Sequence, residues 1–92
     1  MNTMRHELVF SHPIQLTEEM KNQFTKEVKE KHDIVVLSYE VGGSSLIVYT
    51  KGFRLGKKEF APLLDKVRTN QDPIKVYIED DVQDFYRSTT WK

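Results

Sequence analysis

Among side chains able to do chemistry, the densest group is the run Lys51-Gly52-Phe53-Arg54-Leu55-Gly56-Lys57-Lys58, with four cations and no acid. Its two glycines free the backbone, and its end feeds a helix N-terminus. These are the parts of an anion site, with Lys51, Arg54, Lys57 and Lys58 as the cations. The spacing matches neither the phosphate-loop nor the dinucleotide glycine pattern, so a solvated cationic turn is the simpler account. Lys51-Gly52-Phe53 resembles the start of an RNA-recognition signature, yet the aromatic residues that should follow are missing.

Glu79, Asp80, Asp81 and Asp84 form an acidic counterpart. Crowded carboxylates can hold a hard cation, but this spacing lacks the glycine and the distal bidentate glutamate of a calcium loop. A solvated strand end or helix cap explains it more simply. The acidic end and the basic loop are complementary and could meet across an interface. His6 and His12 share strand parity but lie too far apart to share a metal, and His32 falls near a helix C-terminus, where imidazolium is favoured. No metal and no cofactor are expected. Catalysis needs a nucleophile, a base and an oxyanion donor together, and Ser11 beside His12 falls short of that. The chain is therefore read as a non-enzyme.

The bulk properties agree. The 92 residues fit one domain, 1–92, and composition is ordinary for a globular fold at 38% hydrophobic and 30% charged. Fourteen basic and fourteen acidic side chains cancel, so no net field draws the chain to nucleic acid or an anionic membrane. The absence of cysteine excludes disulfides, thiolate catalysis and cysteine-bound zinc, and it suits the cytoplasm. The N-terminus has no apolar run of signal-peptide length, and no stretch is long enough for a membrane helix, so no membrane is expected.

The elements that must position these groups follow from periodicity. Glu7–Ser11 alternates and reads as a strand bounded by Pro13. Thr17 offers an N-cap, Glu18 and Glu19 suit the first turn, and Leu16, Met20, Phe24 and Val28 make a slanted apolar stripe ending near His32 or Asp33. Residues 34–41 and 44–50 are strands around a Gly42-Gly43 hairpin signal. Phe60, Leu63, Leu64 and Val67 mark a second helix, with Pro62 expected in its first turn. Ile74, Val76 and Ile78 alternate in a fourth strand. The tail 80–92 carries Val82, Phe85, Tyr86 and Trp91 and reads as a short helix from Asp81 or an interface segment. The order βαββαβ predicts an α+β sandwich, a four-stranded antiparallel sheet with both helices on one face, in the ferredoxin-like strand order 4-1-3-2.

A two-residue loop places Val35, Leu37, Tyr39, Val41, Leu46 and Val48 under the helices and leaves Ile34, Val36, Ile47, Tyr49, Val9 and Tyr77 on the open face. Such an apolar patch is larger than a monomer usually leaves bare. The expected function is therefore a non-catalytic protein-interaction module, self-associating as a homodimer. Its interface is Ile34, Val36, Ile47, Tyr49, Tyr77, Phe85, Tyr86 and Trp91, where aromatic groups suit binding hot spots. The alternative is a binder of single-stranded nucleic acid, stacking bases on Tyr49 and Tyr77 above the basic loop 51–58. A small-molecule or metabolic enzyme ranks third.

Overall fold

A computed structural model describes residues 3–66, 75–80 and 85–88. Among the described residues seven elements follow: β1 (Thr3–Val9), α1 (Glu18–His32), β2 (Val35–Gly42), β3 (Ser45–Lys51), α2 (Lys57–Lys66), β4 (Lys75–Asp80) and β5 (Phe85–Ser88). The strands form one sheet in the order β2-β3-β1-β4-β5, and every neighbouring pair is antiparallel. The architecture is α+β.

The inner face of the sheet follows from strict alternation. Along β1 and just beyond it Met4, His6, Leu8 and Phe10 are buried, while Thr3, Arg5, Glu7 and Val9 are half-buried. Leu46 and Val48 continue this inner face on β3, and Val76 and Ile78 on β4. Leu8, Leu46 and Val48 share one apolar cluster with Phe24 and Val28 of α1 and with Phe60, Leu63 and Leu64 of α2. Both helices therefore cover the same face.

Helix α1 starts where its cap requires. The Thr17 hydroxyl accepts the Met20 amide at 3.2 Å, and Asp33 ends the helix in the left-handed region at φ 55°. Its apolar stripe buries Phe24 and Val28, with Leu16 and Met20 packed alongside. Tyr39 ties it to β2: the phenol donates to the Lys21 carbonyl at 3.1 Å and accepts from the Thr25 hydroxyl at 2.8 Å.

The hairpin departs from expectation in two ways. Its loop is Gly43-Ser44, with Gly42 opposite Ser45 and Val41 opposite Leu46. Gly43 has φ 61°, so glycine belongs at this first central position. A slide of two positions preserves the faces, so Leu46 and Val48 still point inward. The second departure does not preserve them. The register shifts between Val36 and Ser38, because Val36 lies opposite Thr50 and Ser38 opposite Tyr49. Leu37 is thus an extra residue, a β-bulge that inverts side-chain parity along the start of β2. Ile34 and Val36, expected on the open face, lie on the core side: Ile34 is buried and Val36 packs against the core. Val35 and Leu37, expected under the helices, are 41% and 50% exposed.

Two further expectations need correction. Pro62 lies in the second turn of α2, because the helix begins at Lys57. The start is set by Gly56, whose carbonyl accepts the Phe60 amide at 3.0 Å and whose amide donates to Glu59 Oε1 at 2.7 Å. Pro62 has no amide hydrogen for the Lys58 carbonyl, a local weakness in a ten-residue helix. The tail adds a fifth strand where a four-stranded sheet with a short terminal helix was one reading. Phe85–Ser88 pairs antiparallel with β4, setting Tyr86 opposite Glu79. Val67, Ile74, Val82 and the acidic Asp81 and Asp84 lie outside the described residues, as does Trp91.

Candidate interaction surface

The outer face of the sheet is built in rows across the strands. One row runs Glu40, Ile47, Glu7, Tyr77, and the next Ser38, Tyr49, Arg5, Glu79. Ile47, Tyr49 and Tyr77 are half-buried, and Val9 lies on the same face of β1. The expected apolar patch is therefore interrupted, because Glu7 separates Ile47 from Tyr77 and Arg5 lies beside Tyr49. Arg5 donates to Glu7 at 3.2 Å. Burial by itself would lower the Arg5 pKa, but hydrogen bonds to Tyr49 and Glu7 outweigh it and raise the guanidinium above its ordinary value. The centre of the face is thus a satisfied polar group, with apolar side chains on both sides. Val35 and Leu37 extend the apolar part to the β2 edge, and parity reading misplaced both. Phe85 and Tyr86 lie on β5, at the other edge of the sheet.

The basic run occupies the connection from β3 into α2. Lys51, Arg54, Lys57 and Lys58 are all exposed. Its backbone is already engaged, however. The Leu55 amide donates to His6 Nε2 at 2.8 Å, and the Gly56 amide donates to Glu59. Two amides that an anion would need have partners inside the chain, so the run presents charge without an open cradle. Lys58 turns toward a small cleft between the helices, which it lines with Glu27, Lys31, His32 and Glu59. Gly52, at φ 120°, lets the chain swing out, and Phe53 beyond it is 82% exposed. Nothing in the periodicity of the chain assigns Phe53 to a surface or to the core. The available signal was an aromatic residue between a glycine and an arginine with no periodic partner.

His6 is the other feature missed. It is fully buried, and both ring nitrogens are engaged. The Val48 carbonyl can only accept and the Leu55 amide can only donate, so Nδ1 carries the proton and Nε2 accepts. Burial is the main reason its pKa falls to about 4, with a further push from Arg54. The ring also meets Phe60 edge-on at 5.6 Å. His6 thus locks β1, β3 and the basic connection together as a neutral group. His12 sits apart, against the Pro13 carbonyl, and His32 is exposed. Among the described residues no group of three or more potential ligands is placed to hold a metal, and no helix is long and apolar enough to cross a membrane.

No family model, no curated protein and no solved structure matches this chain.

Proposed function

We propose that this protein is a small non-catalytic interaction module that self-associates through the outer face of its sheet. One observation carries the reading: both helices lie on the inner face, and among the described residues no helix lies over Ile47, Tyr49 and Val35 on the other. Tyrosines beside a satisfied arginine are the groups that supply affinity in such surfaces. The strand order, read from the far edge as β4-β1-β3-β2 after β5, supports a ferredoxin-like arrangement extended by one strand. A cytoplasmic setting fits the cysteine-free chain.

Binding of single-stranded nucleic acid is the weaker reading. Tyr49 is bonded to Arg5, and Glu7 and Glu40 flank Ile47 on the same face, where phosphates would be repelled.

Ile47→Glu tests the proposal. Added to the row that already holds Glu40 and Glu7, the new carboxylate puts three acids side by side across the face. The wild type should be a dimer by light scattering at high micromolar concentration. The variant should be a monomer with a lowered melting temperature, since like charges now lie opposite on neighbouring strands, and Ile47→Lys, which sets a cation between Glu40 and Glu7, should be a monomer that melts close to the wild type. A wild type that stays monomeric defeats the proposal.

A further inference from the structure

We infer that the groove between α1 and α2 binds a short-chain monocarboxylate, with the carboxylate at Lys58 and the carbon chain laid along Phe24 and Pro62. The groove lies on the helical side of the sheet, away from the surface proposed for self-association, and neither depends on the other.

One stripe of each helix builds the groove. Where α1 ends and α2 begins, a cleft of about 70 Å³ is lined by Glu27, Lys31 and His32 of the first helix and by Lys58 and Glu59 of the second. Toward the start of α1 a smaller hollow of about 10 Å³ follows, edged by Met20, Gln23 and Leu63. Phe24, Glu27 and Pro62 line both, so the two hollows are one groove. Ionisable side chains gather at one end of it, and apolar ones run on to the other. Phe24 and Leu63 are buried and form a floor.

The charge left over at the first end is positive. Glu27 holds Lys31 at 3.0 Å, and Glu59 accepts the Gly56 amide at 2.7 Å, so both acids are engaged within the chain. Among the described residues neither Lys58 nor His32 has a partner. The end of α1 and the start of α2 have opposite polarity, so their dipoles offset one another. An ammonium and an imidazole N–H, one from each helix, therefore remain to receive an anion.

The rest of the groove selects the kind of anion. An inorganic ion would occupy only the charged end. A carboxylate with a short carbon chain would also cover Phe24, Pro62 and Met20. The space is smaller than the roughly 150 Å³ cavity that holds a benzene ring, so the chain is a few carbons and not a ring. Pro62 points the same way. It stands in the second turn of α2, where it has no amide hydrogen for the Lys58 carbonyl and weakens the helix. Its ring walls both parts of the groove. Alanine would mend the helix and remove that wall.

Titration of an isotope-labelled chain with butyrate, followed by nuclear magnetic resonance, tests this. Butyrate should move the Met20 and Phe24 signals to saturation with a millimolar dissociation constant, as suits so small a ligand. Butanol lacks the charge and inorganic phosphate lacks the chain, and each should bind more weakly by roughly tenfold. Lys58→Gln, a change at an exposed position, should weaken butyrate binding by roughly tenfold. Pro62→Ala should weaken it several-fold while melting no lower than the wild type, which a purely structural proline would not do. The inference is overturned if the butyrate shifts do not saturate, if phosphate or butanol binds as well as butyrate, or if Lys58→Gln or Pro62→Ala leaves the affinity unchanged.

Discussion

Leu46→Ala is expected to lower the unfolding free energy by about 2–5 kcal/mol, measured from urea denaturation at neutral pH. Leu46 is fully buried on the inner face of β3 and lies between Leu8 of β1 and Val41 of β2. Removing its branched end loses the transfer energy of the deleted carbons and leaves a void among Leu8, Phe24 and Phe60 that a sheet cannot easily close. A domain of this size has a total stability of about 5–15 kcal/mol, so the variant should be partly unfolded at mild denaturant concentrations. A loss below about 1 kcal/mol would mean that Leu46 does not occupy the core.

The second large effect is acid destabilisation through His6. Its folded pKa is about 4, below the ordinary value of 6.5 that an unfolded chain would show. The unfolded chain therefore takes up the proton first. The contribution of neutral His6 is fully present above pH 6.5 and is lost progressively as the pH falls toward 4; below that it declines no further. The whole interval corresponds to roughly 3 kcal/mol. The cause is local: a proton on Nε2 would point a donor at the Leu55 amide, itself a donor, at a fully buried position. His6→Gln keeps a polar group there and removes the titration. Between pH 7 and 4 the wild type should lose roughly 3 kcal/mol more than this variant, by denaturant titration at each pH. Parallel curves for the two proteins would show that His6 is not sealed as described.

The sequence reveals some of this arrangement and conceals the rest for physical reasons. The limits of α1 are readable because Thr17 is a strong cap and Leu16, Met20, Phe24 and Val28 recur with one spacing. The facing of β3 is readable because Leu46 and Val48 are followed by Thr50 and then by a charged residue. β2 is different. Its residues Val35-Val36-Leu37-Ser38 are apolar on both parities before the serine, so nothing marks Leu37 as an extra residue, and one bulge overturns the expected facing of four side chains. Strict alternation accordingly assigns Ile34 and Val36 to the surface, and Val35 and Leu37 to the core. The start of α2 is obscured because proline in the first turn is the usual pattern, whereas the cap here is Gly56, whose amide donates to Glu59 three residues later. β5 is short and follows an acidic run, features that suit a loose tail as well as a strand. His6 stood on the core parity beside Leu8 and Phe10, but its two bonds reach residues 42 and 49 positions away, a separation no local pattern records.

The outer face is where these corrections matter most for function. Loss of Ile34 and Val36 from it moves the apolar surface toward Val35 and Leu37 at the β2 edge, and the Arg5–Glu7 pair divides what remains. Such a mixed surface resembles the interface of a reversible complex more than the interior of a permanent one.

The central claim, that this face meets a second copy, is tested most directly by isotope-filtered nuclear Overhauser spectroscopy on an equal mixture of labelled and unlabelled chains at high micromolar concentration. The account predicts intermolecular signals from the Ile47 methyls and the Tyr49 and Tyr77 rings, with none from Leu46 or Val48. A mixture that gives no intermolecular signals, or gives them only from the helices, would contradict it.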